Sequence, residues 1–182
     1  MSFEVHPATP ERWDDLVRLF DRAVVRTCFC MYYRKPGDTG NGVENRRAMK
    51  GLVDGGTVPG LIGYVDGEPM AWVSLGPREG YDRLQRSFIM KPVDERPVWS
   101  IVCFFVAREA RGGGLAAKML DAAVDYARSQ GARLLEGYPV DKPGESHPDN
   151  MFFGAKTMFD KAGFHEVARR RQTRPVVRRA IR

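Results

Sequence analysis

The sequence predicts a single α/β (α+β) domain over residues 1–182, built on a mixed β-sheet with helices against it. Three observations favour this class. The predicted elements follow the order βααββ, loop, βαβαββ along the chain. Residues 98–138 contain a buried strand, a glycine turn, an amphipathic helix and a second strand, which is typical of a parallel crossover unit. Asp66-Gly67 lies between two strand-like runs and indicates an antiparallel hairpin.

The elements of the first half follow from short-range patterns. Thr9 and Pro10 are typical of a helix N-terminus, and apolar residues then recur at helical spacing as far as Val24. Gly55-Gly56 ends the next helix. Strands are predicted over 2–6, 59–64 and 70–75, and helices over 10–24, 44–53 and 81–87.

The second half has the stronger patterns. The run over 98–106 is apolar, β-branched and aromatic, as expected for a buried strand. The helix that follows carries one apolar face, and Gly131 and Gly163 stand where a helix C-terminus places glycine. Strands are predicted over 98–106, 133–138, 164–170 and 175–181, and helices over 113–130 and 151–162.

Composition narrows the classes of function. The formal net charge of +6 favours an anionic ligand or partner. Seven of the last fourteen residues are arginine, which favours a solvated strand face over a nucleic-acid surface. No apolar run approaches the roughly 20 residues of a membrane span. The three cysteines form no Cys-x-x-Cys pair, so a cytoplasmic protein without a metal site is expected.

Three consecutive glycines, 112–114, separate the buried strand from the amphipathic helix. They permit either a tight turn or an anion cradle, in which main-chain N–H groups and the helix N-terminus bind a phosphate beside Arg111. A P-loop is excluded because Leu115 and Ala116 replace its Lys-Ser/Thr. A dinucleotide fingerprint fits the glycines, but too little chain follows to complete its parallel sheet.

Several residues resemble the GCN5-related N-acetyltransferase (GNAT) superfamily. Arg111-x-x-Gly114-x-Ala116 matches the signature Q/R-x-x-G-x-G/A, and Val106 lies five residues before it, as the last strand residue does in that family. Residues 159–164, Phe-Asp-Lys-Ala-Gly-Phe, resemble the family's L-Y-E-K-L-G-F region. The resemblance implies a twisted, mostly antiparallel sheet of six to seven strands with a central, splayed parallel pair and about four helices.

The resemblance also implies where acetyl-CoA binds. The pantetheine arm would pair with the main chain of the buried strand, the pyrophosphate would bind to amides of the glycine turn, and a strand N–H near Phe104 would polarise the thioester carbonyl. The implied cofactor-binding residues are Phe104, Phe105, Val106, Arg111, Gly112, Gly113, Gly114, Leu115, Ala116 and Ala117.

The catalytic residues depart from the family pattern. Glu136 resembles the general base of one branch, and burial could tune it for that role, although an ion pair with an arginine is the alternative. Phe159 replaces the general-acid tyrosine and Phe152 replaces an asparagine. Tyr138 is therefore the expected acid, with Tyr32 and Tyr33 as alternatives.

The expected function is an N-acetyltransferase that transfers an acetyl group from acetyl-CoA to a primary amine of a small molecule or protein, without a metal. The alternative is a non-catalytic acyl-CoA-binding sensor on the same fold. A nucleic-acid partner is disfavoured because no reading helix or base-stacking motif is visible, and a homodimer is left open. The segment over 28–33 is interpreted either as a lid on the core or as a wall of the acceptor site.

Overall fold

The computed structural model describes residues 1–22, 25–37, 40–144 and 152–182. Its sheet has seven strands in the order β1-β2-β3-β4-β5-β7-β6. Neighbouring strands are antiparallel except β4 and β5, which run parallel. The predicted mixed sheet is thus confirmed. The strands are β1 Phe3–Pro7, β2 Gly60–Val65, β3 Glu68–Pro77, β4 Trp99–Val106, β5 Leu134–Gly137, β6 His165–Arg171 and β7 Arg174–Ala180.

Six α-helices lie in the described residues, against about four expected. The difference comes from short helices, since α2 has four residues and α4 has five. The helix predicted over 10–24 is shorter in the structure, where α1 spans only Trp13–Phe20 and α2 begins beyond that range at Val25. Residues 23 and 24 lie outside the described ranges. The helices are α1 Trp13–Phe20, α2 Val25–Cys28, α3 Gly42–Asp54, α4 Asp82–Arg86, α5 Leu115–Ser129 and α6 Lys156–Lys161.

The prediction of helix over 151–162 is wrong for its first part. Helix α6 begins only at Lys156, and Gly154 has a φ of +79°, which an α-helix does not accept. Residue 151 lies outside the described residues. Residues 152 and 153 form a turn, and Ala155 forms a parallel bridge with Val140.

The two faces of the sheet are covered by different helices. Helices α1, α2 and α3 pack on one face around Phe20 and Trp72. Helices α5 and α6 pack on the other around Met119 and Phe159. Of the described helices, none is long and apolar enough to cross a membrane.

The central parallel pair separates after a short contact. Strands β4 and β5 pair over only three positions, ending at Ile101 and Gly137. Strand β4 also carries one extra residue, Val102, relative to β3, and this bulge lies where the pair ends. The predicted splay is therefore present, and it leaves the second half of β4 without a neighbouring strand on that side.

Residues 152–155, the strap, lie in this gap rather than leaving it open. The N–H of Phe104 donates to the carbonyl of Phe152 at 2.6 Å, and the N–H of Val140 donates to Gly154 at 2.9 Å. Buried main-chain groups need partners, and here the strap supplies them in place of β5. The expectation that the thioester enters an open gap between β4 and β5 is therefore wrong for this structure, because the strap occupies the gap.

Candidate active site

A cavity of about 280 Å³ lies where β4 leads into α5. All the predicted cofactor residues except Gly113 and Ala117 line it, together with Ala110 and Phe152. The lining residues are Phe104, Phe105, Val106, Ala110, Arg111, Gly112, Gly114, Leu115, Ala116 and Phe152. The strand, the turn and the helix N-terminus thus converge on one space, as the sequence predicts.

The glycine turn presents main-chain donors to this cavity. Gly112 and Gly114 have φ values of +83° and +73°, which favour glycine, and α5 begins directly after them. The first helical hydrogen bond to the turn runs from the N–H of Lys118 to Gly114 at 3.2 Å. In the described parts of the chain, the N–H groups of residues 112–117 therefore have no acceptor.

Free N–H groups at a helix N-terminus are suited to an anion such as a pyrophosphate. Arg111 lies in the same wall, where its Nε donates to the carbonyl of Val106 at 3.0 Å and so connects the turn to the end of β4. The residues present therefore fit the phosphate end of acetyl-CoA.

The side chains of Phe104 and Phe105 serve packing. Phe104 packs edge-on against Phe159 with ring centroids 6.1 Å apart, in the core beneath α5 and α6. Phe105 belongs to the core on the opposite face of the sheet. Phe159 is fully buried and has no proton to donate.

Glu136 and Tyr138 lie in a buried polar cluster rather than in the lining of this cavity. Glu136 accepts from the guanidinium of Arg78 and, at 2.7 Å, from Nε of Arg178. The hydroxyl of Tyr138 donates to the same carboxylate at 2.7 Å and lies 2.8 Å from Oγ of Ser100. Glu136 and Tyr138 are fully buried. Glu136 therefore forms ion pairs with arginines, which was the alternative to a catalytic base.

The chemistry of Tyr138 follows from this environment. Burial, reinforced by the adjacent negative charge of Glu136, raises the pKa of Tyr138 well above its ordinary value. The phenol therefore keeps its proton, and that proton is committed to the Glu136 carboxylate. Both side chains are fully buried, so neither is exposed to an acceptor amine in this arrangement.

Most of this chain matches one known protein family. The sequence profile of the acetyltransferase (GNAT) family matches residues 26–143, more than half of the chain. The chain belongs to the GNAT family. The cavity at the start of α5 thus belongs to a GNAT domain. No curated protein matches the sequence of this GNAT chain significantly.

Solved structures show the same GNAT fold over the whole chain. An N-acetyltransferase from Staphylococcus aureus Mu50 has a TM-score of 0.56 at 14% identity, covering 100% of this chain and 98% of its own. A mosquito arylalkylamine N-acetyltransferase like 5b has a TM-score of 0.64 at 8% identity, covering 99% and 100%. A chain from the NatC complex bound to Gag peptide and CoA has a TM-score of 0.56 at 12% identity, and the alignment covers 100% of both chains.

Sequence reasoning missed Arg78, which anchors the irregular segment 78–98 of this GNAT chain. Its guanidinium donates to the carbonyls of Met90 at 2.6 Å and Leu84 at 3.2 Å, as well as to Glu136. No sequence signal pointed to this residue, since its side-chain partners lie six to 60 positions away. The buried charge cluster therefore fixes the 78–98 segment against β5.

The arginines of the closing hairpin have a similar role. Arg170 donates to three carbonyls of the 78–98 segment, including that of Lys91 at 2.7 Å. Arg178 pairs with Asp94 at 2.7 Å, and Arg169 pairs with Asp141 at 2.8 Å. Several of the arginines that were expected on a solvated face are thus bound within the protein.

A second cavity, of about 270 Å³, lies beside α4. We call it the arginine–tyrosine pocket, lined among others by Tyr32, Tyr33, Arg83, Arg86, Ser87 and Met90. Within the segment 28–33, Phe29, Cys30 and Met31 are buried in the core, as the lid interpretation expects, while Tyr32 and Tyr33 line the pocket. No cluster of metal-ligating side chains was found in the described ranges.

Proposed function

We propose that this GNAT chain is an acetyl-CoA-dependent N-acetyltransferase acting on a primary amine of a small molecule or protein. The observation that carries the proposal is the set of unpaired N–H groups over residues 112–117 at the mouth of a cavity that β4 also lines. These amides and Arg111 would hold the pyrophosphate, and the main chain of residues 104–106 would hold the pantetheine arm.

Bound acetyl-CoA would supply an activated acyl group as a thioester. The protein must bring an uncharged amine to it and accept the proton that the amine loses. Glu136 is the base suggested by resemblance, but both of its oxygens already accept from donors within the buried cluster. We therefore favour a structural role for Glu136 and Tyr138, with proton removal left to water or to the substrate's own solvent shell.

Tyr33 is better placed than Tyr138 to meet an acceptor, because it lines an open pocket. Burial raises the pKa of Tyr33, so its hydroxyl remains a proton donor at neutral pH. All three cysteines are free thiols, which suits a reducing compartment, and we propose the cytoplasm.

The non-catalytic sensor has one observation in its favour. Arg111 is the sole titratable side chain among the residues that line the first cavity, and an arginine does not titrate near neutral pH. Acyl-CoA would then bind without a general acid or base from this wall. This alternative predicts tight binding without transfer.

The experiment that separates these functions measures thiol release from acetyl-CoA with the purified protein and a panel of amines, peptides and aminoglycosides. The N-acetyltransferase predicts thiol release that depends on one class of amine, with a matching acetylated product identified by mass spectrometry. Calorimetric CoA binding without product from any acceptor would support the sensor. Absence of CoA binding would contradict both.

A further inference from the structure

The arginine–tyrosine pocket is small and amphipathic. Its volume of about 270 Å³ is near the lower end, about 300 Å³, of ordinary small-molecule sites. Tyr32, Tyr33 and Met90 supply apolar surface, while Arg83 and Arg86 supply positive charge. A pocket of this size and character suits a compact molecule that has both an apolar body and an anionic group.

Within the described ranges, no carboxylate lies in ion-pair distance of the two arginines that line this pocket. Arg83 stacks on the ring of Tyr32 with 4.2 Å from its guanidinium carbon to the ring centroid, and it donates to the carbonyl of Gly37. Its Nε is buried without an acceptor. No carboxylate of the described residues pairs with Arg83 or Arg86, whereas arginines elsewhere on this chain form many ion pairs.

A third arginine contributes from behind the pocket. Arg174 stacks on the ring of Phe153 at 4.1 Å, and its only oxygen partner among the described residues is the carbonyl of Tyr138 at 3.1 Å. Its Nε is also buried without an acceptor. Tyr33 packs edge-on against the same Phe153 ring at 5.2 Å. Arg83 thus stacks on Tyr32, and Arg174 stacks on the ring that packs behind Tyr33; neither pairs with a carboxylate among the residues that the structure describes.

The pocket lies next to the cofactor cavity. Phe153 forms part of the packing behind Tyr33, and the preceding residue, Phe152, lines the cofactor cavity and accepts from the N–H of Phe104. The strap therefore lines the cofactor cavity with Phe152 and packs behind the pocket residue Tyr33 with Phe153.

We propose that the arginine–tyrosine pocket binds the acceptor, and that the acceptor is a small amine carrying an aromatic or similar apolar body and a carboxylate. The inference rests on the proposed acetyl transfer and names its substrate class. A guanidinium presents parallel N–H donors that match a carboxylate. The tyrosines and Met90 would contact the apolar body, and a polycationic acceptor would be repelled by the arginines.

The test uses matched acceptors that differ by one carboxylate: benzylamine against para-aminomethylbenzoate, and phenethylamine against phenylalanine. For the wild type we expect kcat/KM to favour the carboxylate member of at least one pair by about tenfold or more. Arg83→Gln and, separately, the exposed Arg86→Gln should lower that preference toward unity. The control is Arg128→Gln, which removes an exposed arginine paired with Asp125 on α5 and should leave the preference unchanged.

A binding measurement tests the pocket independently of acetyl transfer. Phenylacetate has the carboxylate and the ring but no amine, and its binding is followed by calorimetry in the wild type and in both pocket variants. Binding weakened by Arg83→Gln or Arg86→Gln supports the pocket even if no amine is acetylated, an outcome that would contradict only the proposed activity. Turnover of amines without a carboxylate preference, or phenylacetate binding indifferent to both variants, overturns the inference.

Discussion

The main-chain N–H of Phe104 donates to the carbonyl oxygen of Phe152 at 2.6 Å. Phe104 lies on the part of β4 that has separated from β5, and Phe152 is the first described residue of the strap. The donor expected to polarise the thioester is therefore engaged within the protein. Substrate binding at this donor requires the Phe152 carbonyl to move away.

This hydrogen bond predicts a specific pattern of amide exchange. In the ligand-free protein the Phe104 amide should exchange as slowly as those of β4 that pair with β3, because all are buried and bonded. Saturating acetyl-CoA should keep Phe104 protected while exchange at Val140 and Lys156, which bond across the strap, becomes faster. Hydrogen–deuterium exchange followed by NMR measures both effects.

Coenzyme A without the acetyl group is the control for this displacement. It has no thioester carbonyl, so it should change exchange around the glycine turn without loosening the strap. Fast exchange of Phe104 in the ligand-free protein would contradict the hydrogen bond. An unchanged strap with acetyl-CoA bound would show that a different donor polarises the carbonyl.

Replacement of Glu136 tests the buried charge cluster. Glu136→Gln leaves Arg78 and Arg178 without their shared carboxylate, and breaking a buried pair from one side costs about 3–5 kcal/mol. We expect the free energy of unfolding to fall by about that amount in urea titrations. Glu79→Gln removes an exposed carboxylate next to Arg78 in sequence and should change stability by less than about 0.5 kcal/mol.

The same variant distinguishes a structural role from general-base catalysis. If Glu136 only holds the cluster together, the fraction of Glu136→Gln that remains folded should keep the wild-type dependence of kcat/KM on pH. Glu136 would instead be the base if Glu136→Gln lost kcat/KM and the acidic limb of its pH profile while its free energy of unfolding stayed unchanged.

Asp94 predicts part of the acid sensitivity of the fold. The hydrogen bond from Arg178, more than any other contact, holds the pKa of Asp94 well below its usual range. The folded pKa is therefore lower than the unfolded value of about 3.9, so its stabilisation is present above that pH and lost as the pH falls through the folded pKa. The stability difference between wild type and Asp94→Asn should be constant near neutrality and shrink below about pH 4. A difference that grows on acidification would contradict this assignment.

The elements that sequence patterns predict well are those fixed by local chemistry. The Asp66-Gly67 turn is one example, since both residues have positive φ values of +49° and +82°, as a tight hairpin turn requires. The glycine turn before α5 is another. Its conformation, its helix and its place in the cavity follow from residues that are adjacent in the chain.

What the sequence could not predict depends on contacts between distant residues. Glu136 among apolar neighbours was compatible with a catalytic acid or an ion pair, and the decision came from Arg78 and Arg178, 58 and 42 positions away. The strap lies inside the helix that the sequence predicts over 151–162. Its non-helical form depends on main-chain hydrogen bonds to Phe104 and Val140, whose need for partners appears only when the sheet is assembled.

The central claim, that the glycine turn before α5 binds the pyrophosphate of coenzyme A, is tested most directly by Ala116→Glu. Ala116 lines the cavity in the first turn of α5, where an acidic residue favours the helix but would repel a bound phosphate. Gly51→Glu makes the same charge change in α3, where no described atom beyond the adjoining helix backbone lies within 4 Å of the added Cβ. We predict that calorimetry gives a CoA affinity at least about tenfold weaker, or about 1.4 kcal/mol, for Ala116→Glu and unchanged for Gly51→Glu. Wild-type affinity in a folded Ala116→Glu protein would contradict the claim.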